Sequence, residues 1–231
     1  MSKLNSQYGS ELHLLRWMGR HRTLFDKKVC KAMGISNIKW LDFQFDPGAI
    51  PPDAEWKDIQ FLENLIIKSD YDQLKKRWKD WWPTGGNTQN WDAAGKYRHG
   101  DKDIFVVVEA KATIQECKSD CGARSKDSIK KIEYAFLEVQ SSLKINPKNS
   151  WMKKYYQKAN RLAFLHFLEE NKIECKLLDI LFTGDDNKQA GRKGVASIEE
   201  WNEQKVEELE HLGLKNSYWI QNHYYQLVLS I

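Results

Sequence analysis

The chain has 231 residues, 41% of them hydrophobic, enough to bury a sizeable core in one domain, and no Gly/Ser/Pro-rich linker divides it. A net charge of +4 is too small to demand a nucleic-acid partner, and the apolar runs are far shorter than a bilayer span. With no secretory h-region in the first residues and four cysteines, none in CxxC spacing, the expectation is a cytoplasmic protein with reduced thiols and no membrane partner.

Taken in chain order, Ser10 reads as the cap of a helix through Leu12, Leu15 and Met18, and Phe25 to Met33 as a second helix stopped by Gly34. Lys39 to Phe45 alternates as a strand does, and Pro47, Pro51 and Pro52 hold off any helix until about residue 53. From Asp53 to Ser69 the positions of Trp56, Ile59, Phe61, Leu62, Leu65 and Ile66 fit an amphipathic helix, with Glu63 near its middle. Another helix runs from Tyr71 to Trp81 and ends before Pro83, its Lys75 and Arg77 suited to lie on a phosphate backbone. A polar loop, 84–90, leads on from it, and the amides of Gln89 and Asn90 are candidates for phosphate or base-edge contacts.

The densest chemistry lies between Asn90 and Thr113. Ile104 to Val108 is an unbroken, largely β-branched run, the composition of a strand buried on both faces. It ends in Glu109-Ala110-Lys111, and because strand side chains alternate, Glu109 and Lys111 share one face. Gly100-Asp101 suits the two-residue loop of a hairpin whose incoming strand starts near Asp92. Opposed positions then sum to 201, so that Asp92 faces Glu109 and Asn90 faces Lys111. Carboxylates about 5 Å apart across two strands repel one another unless a proton or a cation lies between them, and Mg2+ or Mn2+ is the fitting cation. A one-residue bulge would undo this pairing, and a solvated Glu–Lys ion pair is the plain alternative.

Beyond Lys111, a loop from Thr113 to Ser125 contains Glu116, a further acid within reach of a metal. Asp127 to about Lys144 and Trp151 to Glu170 follow helical spacing, and Gln157 and Arg161, four apart, share a helix face that can approach phosphates. Lys176 to Phe182 reads as a core strand, with Asp185 and Asp186 as turn formers. Ser197-x-x-Glu200 is a capping box for a Glu-rich helix stopped by Gly213, and His223 to Ile231 reads as a last strand. Charge is uneven. Residues 75–102 hold seven Lys/Arg against three Asp and residues 144–161 hold six with no acid, while residues 195–211 hold six Glu and one Lys, the asymmetry expected of a phosphate-binding face.

Asp92 followed seventeen residues later by Glu109-Ala110-Lys111, at the end of a hydrophobic strand in a hairpin, resembles the Asp…Glu-x-Lys signature of the PD-(D/E)XK nuclease superfamily. The resemblance spans roughly residues 55–183, and Trp91 stands where many members have Pro before the Asp. It implies a restriction-endonuclease-like α/β fold: a mixed β-sheet flanked by helices, in a single domain over residues 1–231. Residues 1–54 and 184–231 would then elaborate a catalytic core of about 55–183. It further implies Mg2+-dependent hydrolysis of DNA phosphodiester bonds, with Asp92 and Glu109 on the metal, Lys111 beside them and Glu63 as a third carboxylate. Water would attack in line and leave a 5′-phosphate, and a homodimer would cut both strands. The rival expectation is a nucleic-acid-binding or accessory module of the same fold that does not cut.

Overall fold

A computed structural model describes residues 8–41, 55–85, 88–186 and 191–231. Its centre is a five-stranded mixed sheet in the order β1-β4-β5-β6-β7: Lys39–Trp40, Ala93–His99, Lys102–Lys111, Cys175–Thr183 and Tyr224–Ser230. The first three strands are antiparallel neighbours, and β5, β6 and β7 run parallel. Parallel neighbours need long crossovers, and here they are helical. Helices α4 (Lys126–Ser142) and α5 (Tyr156–Glu170) join β5 to β6; α6 (Ile198–His211) and α7 (Tyr218–His223) join β6 to β7. The chain is thus an α/β protein, and no described helix is long and apolar enough to cross a membrane.

Strand alternation sorts the core into two faces. On one, Val106, Val108 and Ala110 of β5 and Leu178, Ile180 and Phe182 of β6 pack against Leu14 of α1 (Ser10–Arg20) and Phe25, Val29 and Met33 of α2 (Arg22–Met33). On the other, Phe105 and Val107 meet Tyr71, Leu74 and Trp78 of α3 (Lys68–Trp81), together with Ile132 of α4 and Phe164 of α5. Every residue from Ile104 to Val108 is at most 4% exposed, as its unbroken apolar run predicts. The hairpin turns at Gly100, with φ 59°, and pairs Ala93 with Val108 through His99 with Lys102, in the expected register.

Three expectations change. The described part of the Asp53–Ser69 helix is instead a short strand β2 (Trp56–Lys57), a turn and a single 3-10 turn at Gln60–Leu62. Asp58 adopts φ 46°, which breaks any helix, and β2 pairs with β3 (Asn90–Trp91), Trp56 opposite Trp91 and Lys57 opposite Asn90. Tertiary pairing has overridden a helical pattern. For the same reason Asn90 does not face Lys111. The helix expected from Trp151 starts only at Tyr156, because Lys154 takes φ 63° and Trp151 donates its indole N–H to Leu212 O at 3.0 Å. Of the strand expected over Lys39–Phe45, residues 42–45 lie outside the described residues, as do Pro47, Pro51, Pro52 and Asp53.

A candidate active site at the end of the hairpin

The hairpin ladder ends where the charged residues begin. Asp92 N–H donates to Val108 O at 3.0 Å, and then the side chain takes over: Asp92 Oδ2 accepts from Ala110 N–H at 2.6 Å. The Asp92 carboxylate thereby stands in for a backbone acceptor and is fixed beside the strand that bears Glu109. Burial, then the charge of Glu109, pushes the Asp92 carboxyl up to about 7; Ala110 N–H and Lys111 resist, and Glu55 adds to the push. Asp92, at the bend before β4 and so outside the ladder, and Glu109 on β5 are near enough to repel.

Glu109, 6% exposed, is held by three donors. Its Oε1 accepts from Lys111 Nζ at 2.5 Å and Gln157 Nε2 at 3.0 Å, and its Oε2 from Arg161 Nε at 2.9 Å. Burial alone would raise this carboxyl, but the Arg161 guanidinium and Lys111 ammonium outweigh it and hold Glu109 down to about 2. Burial opposes the charge of Lys111, and Glu109 more than compensates, raising the ammonium above its ordinary range. Glu109 is therefore ionised at all physiological pH, while Asp92 titrates near neutrality.

Helix α5 makes this possible because Gln157 and Arg161 sit one turn apart on the face that covers the sheet. Arg161 is 5% exposed, and each of its three nitrogens donates a hydrogen bond. Its Nη1 donates to Asn160 Oδ1 at 2.9 Å and its Nη2 to Asn90 O at 2.8 Å, and the guanidinium lies 4.8 Å from the centre of the Trp91 ring. One side chain thus ties the helix, the strand entering Asp92 and Glu109 together.

A second charged cluster adjoins the first. In the parallel register Glu109 lies beside Asp179 of β6, and Asp179 beside Gln226 of β7. Asp179 Oδ2 accepts from Lys158 Nζ and, at 2.7 Å, from Tyr224 Oη. Lys158 Nζ also lies 3.9 Å from Glu208 Oε2 of α6. All four side chains are buried. Burial, partly offset by Lys158, lifts Glu208 to about 7.

Of the residues singled out from the sequence, the fold gathers Asp92, Glu109, Lys111, Gln157 and Arg161. Asn90 contributes its carbonyl oxygen. It does not gather the rest. Glu63 caps the 3-10 turn, and its charge is felt by Lys68 and Tyr71, whereas the additional acid acting on Asp92 is Glu55. Gln89 is 2% exposed and donates to Asn160 O at 3.2 Å, so it braces the core. Arg77 bonds Asn171 Oδ1 at 2.8 Å, at the end of α5 remote from Arg161, about 15 Å along the helix axis; Lys75 is exposed on α3, its ammonium 5.6 Å from the centre of the Tyr71 ring. Glu116 is spent on Ala112 N–H, Thr113 Oγ1 and Arg192. Arg192 also binds Asp185, which takes His13 at 2.9 Å, so Asp185 is a buried tie and only Asp186, accepting from Gly194 N–H, works as a turn former.

Reading the sequence alone missed Asp179, Lys158, Glu208 and Glu55. Asp179 carried a signal: an acid inside Leu177-Leu178-Asp179-Ile180-Leu181 must be partnered if that strand is buried. Lys158 and Glu208 are hidden in composition, one in a basic stretch and one in a Glu-rich helix. Both stretches partly cancel, with Lys154 on Glu207 at 2.5 Å and Lys153 on Asp120 at 2.9 Å. No family model, curated protein or solved structure matches the chain.

Proposed function

We propose that the chain is a Mg2+- or Mn2+-dependent nuclease that hydrolyses DNA phosphodiester bonds through Asp92, Glu109 and Lys111, on a restriction-endonuclease-like core. The observation that carries this reading is the Asp92 carboxylate tied to the backbone of Ala110, next to Glu109 on the same strand, with an ammonium on Glu109. The donor set fits a hard cation. Asp92 spends Oδ2 on Ala110 N–H, leaving Oδ1 for a ligand, and its repulsion by Glu109 is what a divalent ion removes. Among the described residues no group of three or more His, Cys, Asp or Glu side chains forms an all-protein metal cage. Mg2+ commonly takes one or two carboxylates and fills its remaining positions with water and substrate phosphate. When bound, such an ion polarises the scissile phosphate and acidifies the attacking water.

The chain's own groups would do the rest. Asp92 and Glu109 hold the ion; Lys111 Nζ orients the attacking water or meets the negative charge that develops on phosphate. Arg161 and Gln157 keep the Glu109 carboxylate itself in one rotamer. Two copies acting together would cut both strands, as the resemblance implies. A second reading, a module that binds nucleic acid without cutting, draws on one observation: both oxygens of Glu109 are already engaged, so a metal must compete with Lys111 for Oε1.

Supercoiled plasmid incubated with the purified chain and Mn2+ distinguishes the two. The nuclease reading expects nicking that falls by about 10²–10³-fold in Lys111→Ala and is lost in Glu109→Ala, with circular dichroism unchanged. Salt-sensitive binding with no nicking by the wild type would favour the second reading.

A further inference from the structure

Between the two clusters lies a small cavity of about 10 Å3, lined by Glu109, Lys111, Gln157, Lys158, Asp179 and Glu208 among others. That is about the space one water occupies, and the walls are polar. One wall group is short of a partner. Asp179 Oδ1 is buried with no hydrogen-bond partner, although its other oxygen has two. Glu208, 3% exposed, has Gln204 beside it and lies 3.9 Å from Lys158 Nζ. Orphaned buried oxygens are rare, and an internal water is their usual remedy.

We propose that this cavity is a water site built into the fold, and that Glu208 and Asp179 act through its single water as positioning residues for the Lys111 ammonium. The water accepts from Lys111 Nζ and from the Glu208 carboxylic acid and donates to Asp179 Oδ1, which satisfies the orphaned oxygen and gives Lys111 a second anchor besides Glu109. The charged and titratable groups facing Glu208 are Lys158 of α5, Asp179 of β6, Lys111 of β5, Tyr224 of β7 and Cys117 in the 3-10 turn Ile114–Cys117, with Gln204 on its own helix. Their balance keeps Glu208 protonated up to about 7, so it has a hydrogen to donate at neutral pH. The water site stands on geometry alone; the positioning role rests on the nuclease reading.

Three measurements on the full chain test it. A crystal structure at 1.5 Å or better should show one ordered water within hydrogen-bond distance of both Asp179 Oδ1 and Lys111 Nζ; density there that reaches neither group overturns the site. Thermal unfolding followed from pH 4 to 8 should lose part of its decline toward high pH in Glu208→Gln, because between its ordinary value of 4.5 and about 7 that acid is protonated when folded and ionised when unfolded. A wild-type decline in Glu208→Gln contradicts the proposal. In plasmid nicking with Mn2+, Glu208→Leu should lower kcat about tenfold with KM unchanged, and Glu208→Gln should restore it below pH 7. Wild-type kcat in a folded Glu208→Leu removes the positioning role; should that variant not fold, Asp179→Asn, which replaces the water's acceptor, gives the same reading. Absence of nicking by the wild type, with the water in place, sinks the nuclease reading and leaves the water site standing.

Discussion

Glu109 and Asp179 occupy equivalent places on neighbouring parallel strands, face the same helix and are each paired with a cation from it, yet they are finished differently. Glu109 has three donors and abuts a half-buried Asp92 and a Lys111 that is 14% exposed. Asp179 is sealed beneath α6, has one oxygen without a partner and shares a buried lysine with a second acid. The difference separates two uses of buried charge. At Glu109 the surplus of donors fixes one carboxylate as an anion beside another that repels it, which suits a site awaiting a cation. At Asp179 charge is balanced among buried side chains, which suits a support.

The sharpest way to break this comparison is to remove the cation from each acid. Lys158→Met leaves Asp179 buried without its cation and should cost about 3–5 kcal/mol in urea unfolding. Arg161→Met should cost less, about 1.5–3 kcal/mol, because Lys111 and Gln157 still hold Glu109. Equal losses would mean that the two acids are not differently supported.

Acid titration gives a smaller effect of opposite sign at the two carboxylates of the site. Asp92 keeps its proton to about 7 when folded and releases it below 4 when unfolded, so its contribution to stability is present below that window and is lost as pH rises through it. Asp92→Asn should flatten the fall in Tm between pH 4 and 7. Glu109 behaves oppositely: its contribution is present above its ordinary value near 4.5 and is lost as pH falls toward about 2, so Glu109→Gln should flatten the acid limb. Unchanged limbs in both variants would remove the electrostatic account.

The smallest effects lie away from both clusters. Arg77→Ala and Lys153→Ala touch exposed residues, Lys153 in a surface ion pair, and should shift stability by no more than about 0.5–1 kcal/mol. Arg77→Ala should also leave plasmid nicking unchanged, since that side chain sits at the far end of α5; a large loss there would restore the phosphate-backbone role that its place in a basic run suggests.

What could be read in the sequence follows period two. The apolar run 104–108, the Gly100-Asp101 turn and the shared face of Glu109 and Lys111 are all local, and the structure reproduces them. Helical spacing likewise placed Gln157 and Arg161 on one face of α5, and the structure turns both side chains onto Glu109. The part that escaped is non-local. Glu55 comes near Asp92 only because β2 pairs with β3, and Trp56 and Phe61 in that segment imitate a helical stripe. Glu208 and Lys158 are typical surface residues in their own stretches and become buried only when α6 closes over β6. Basic and acidic runs that suggest a phosphate-binding face partly neutralise each other across space, as Lys154 with Glu207 shows.

The proposed nuclease activity requires Asp92 and Glu109 to share a divalent cation beside Lys111. A crystal soaked in Mn2+ and measured at the manganese edge tests it most directly. The account predicts an anomalous peak within coordination distance of Asp92 Oδ1 and a Glu109 oxygen above pH 7, weakening as pH falls and Asp92 takes up its proton. No peak at that position at pH 8, with Glu109 still bound by Lys111 and Arg161, would contradict it.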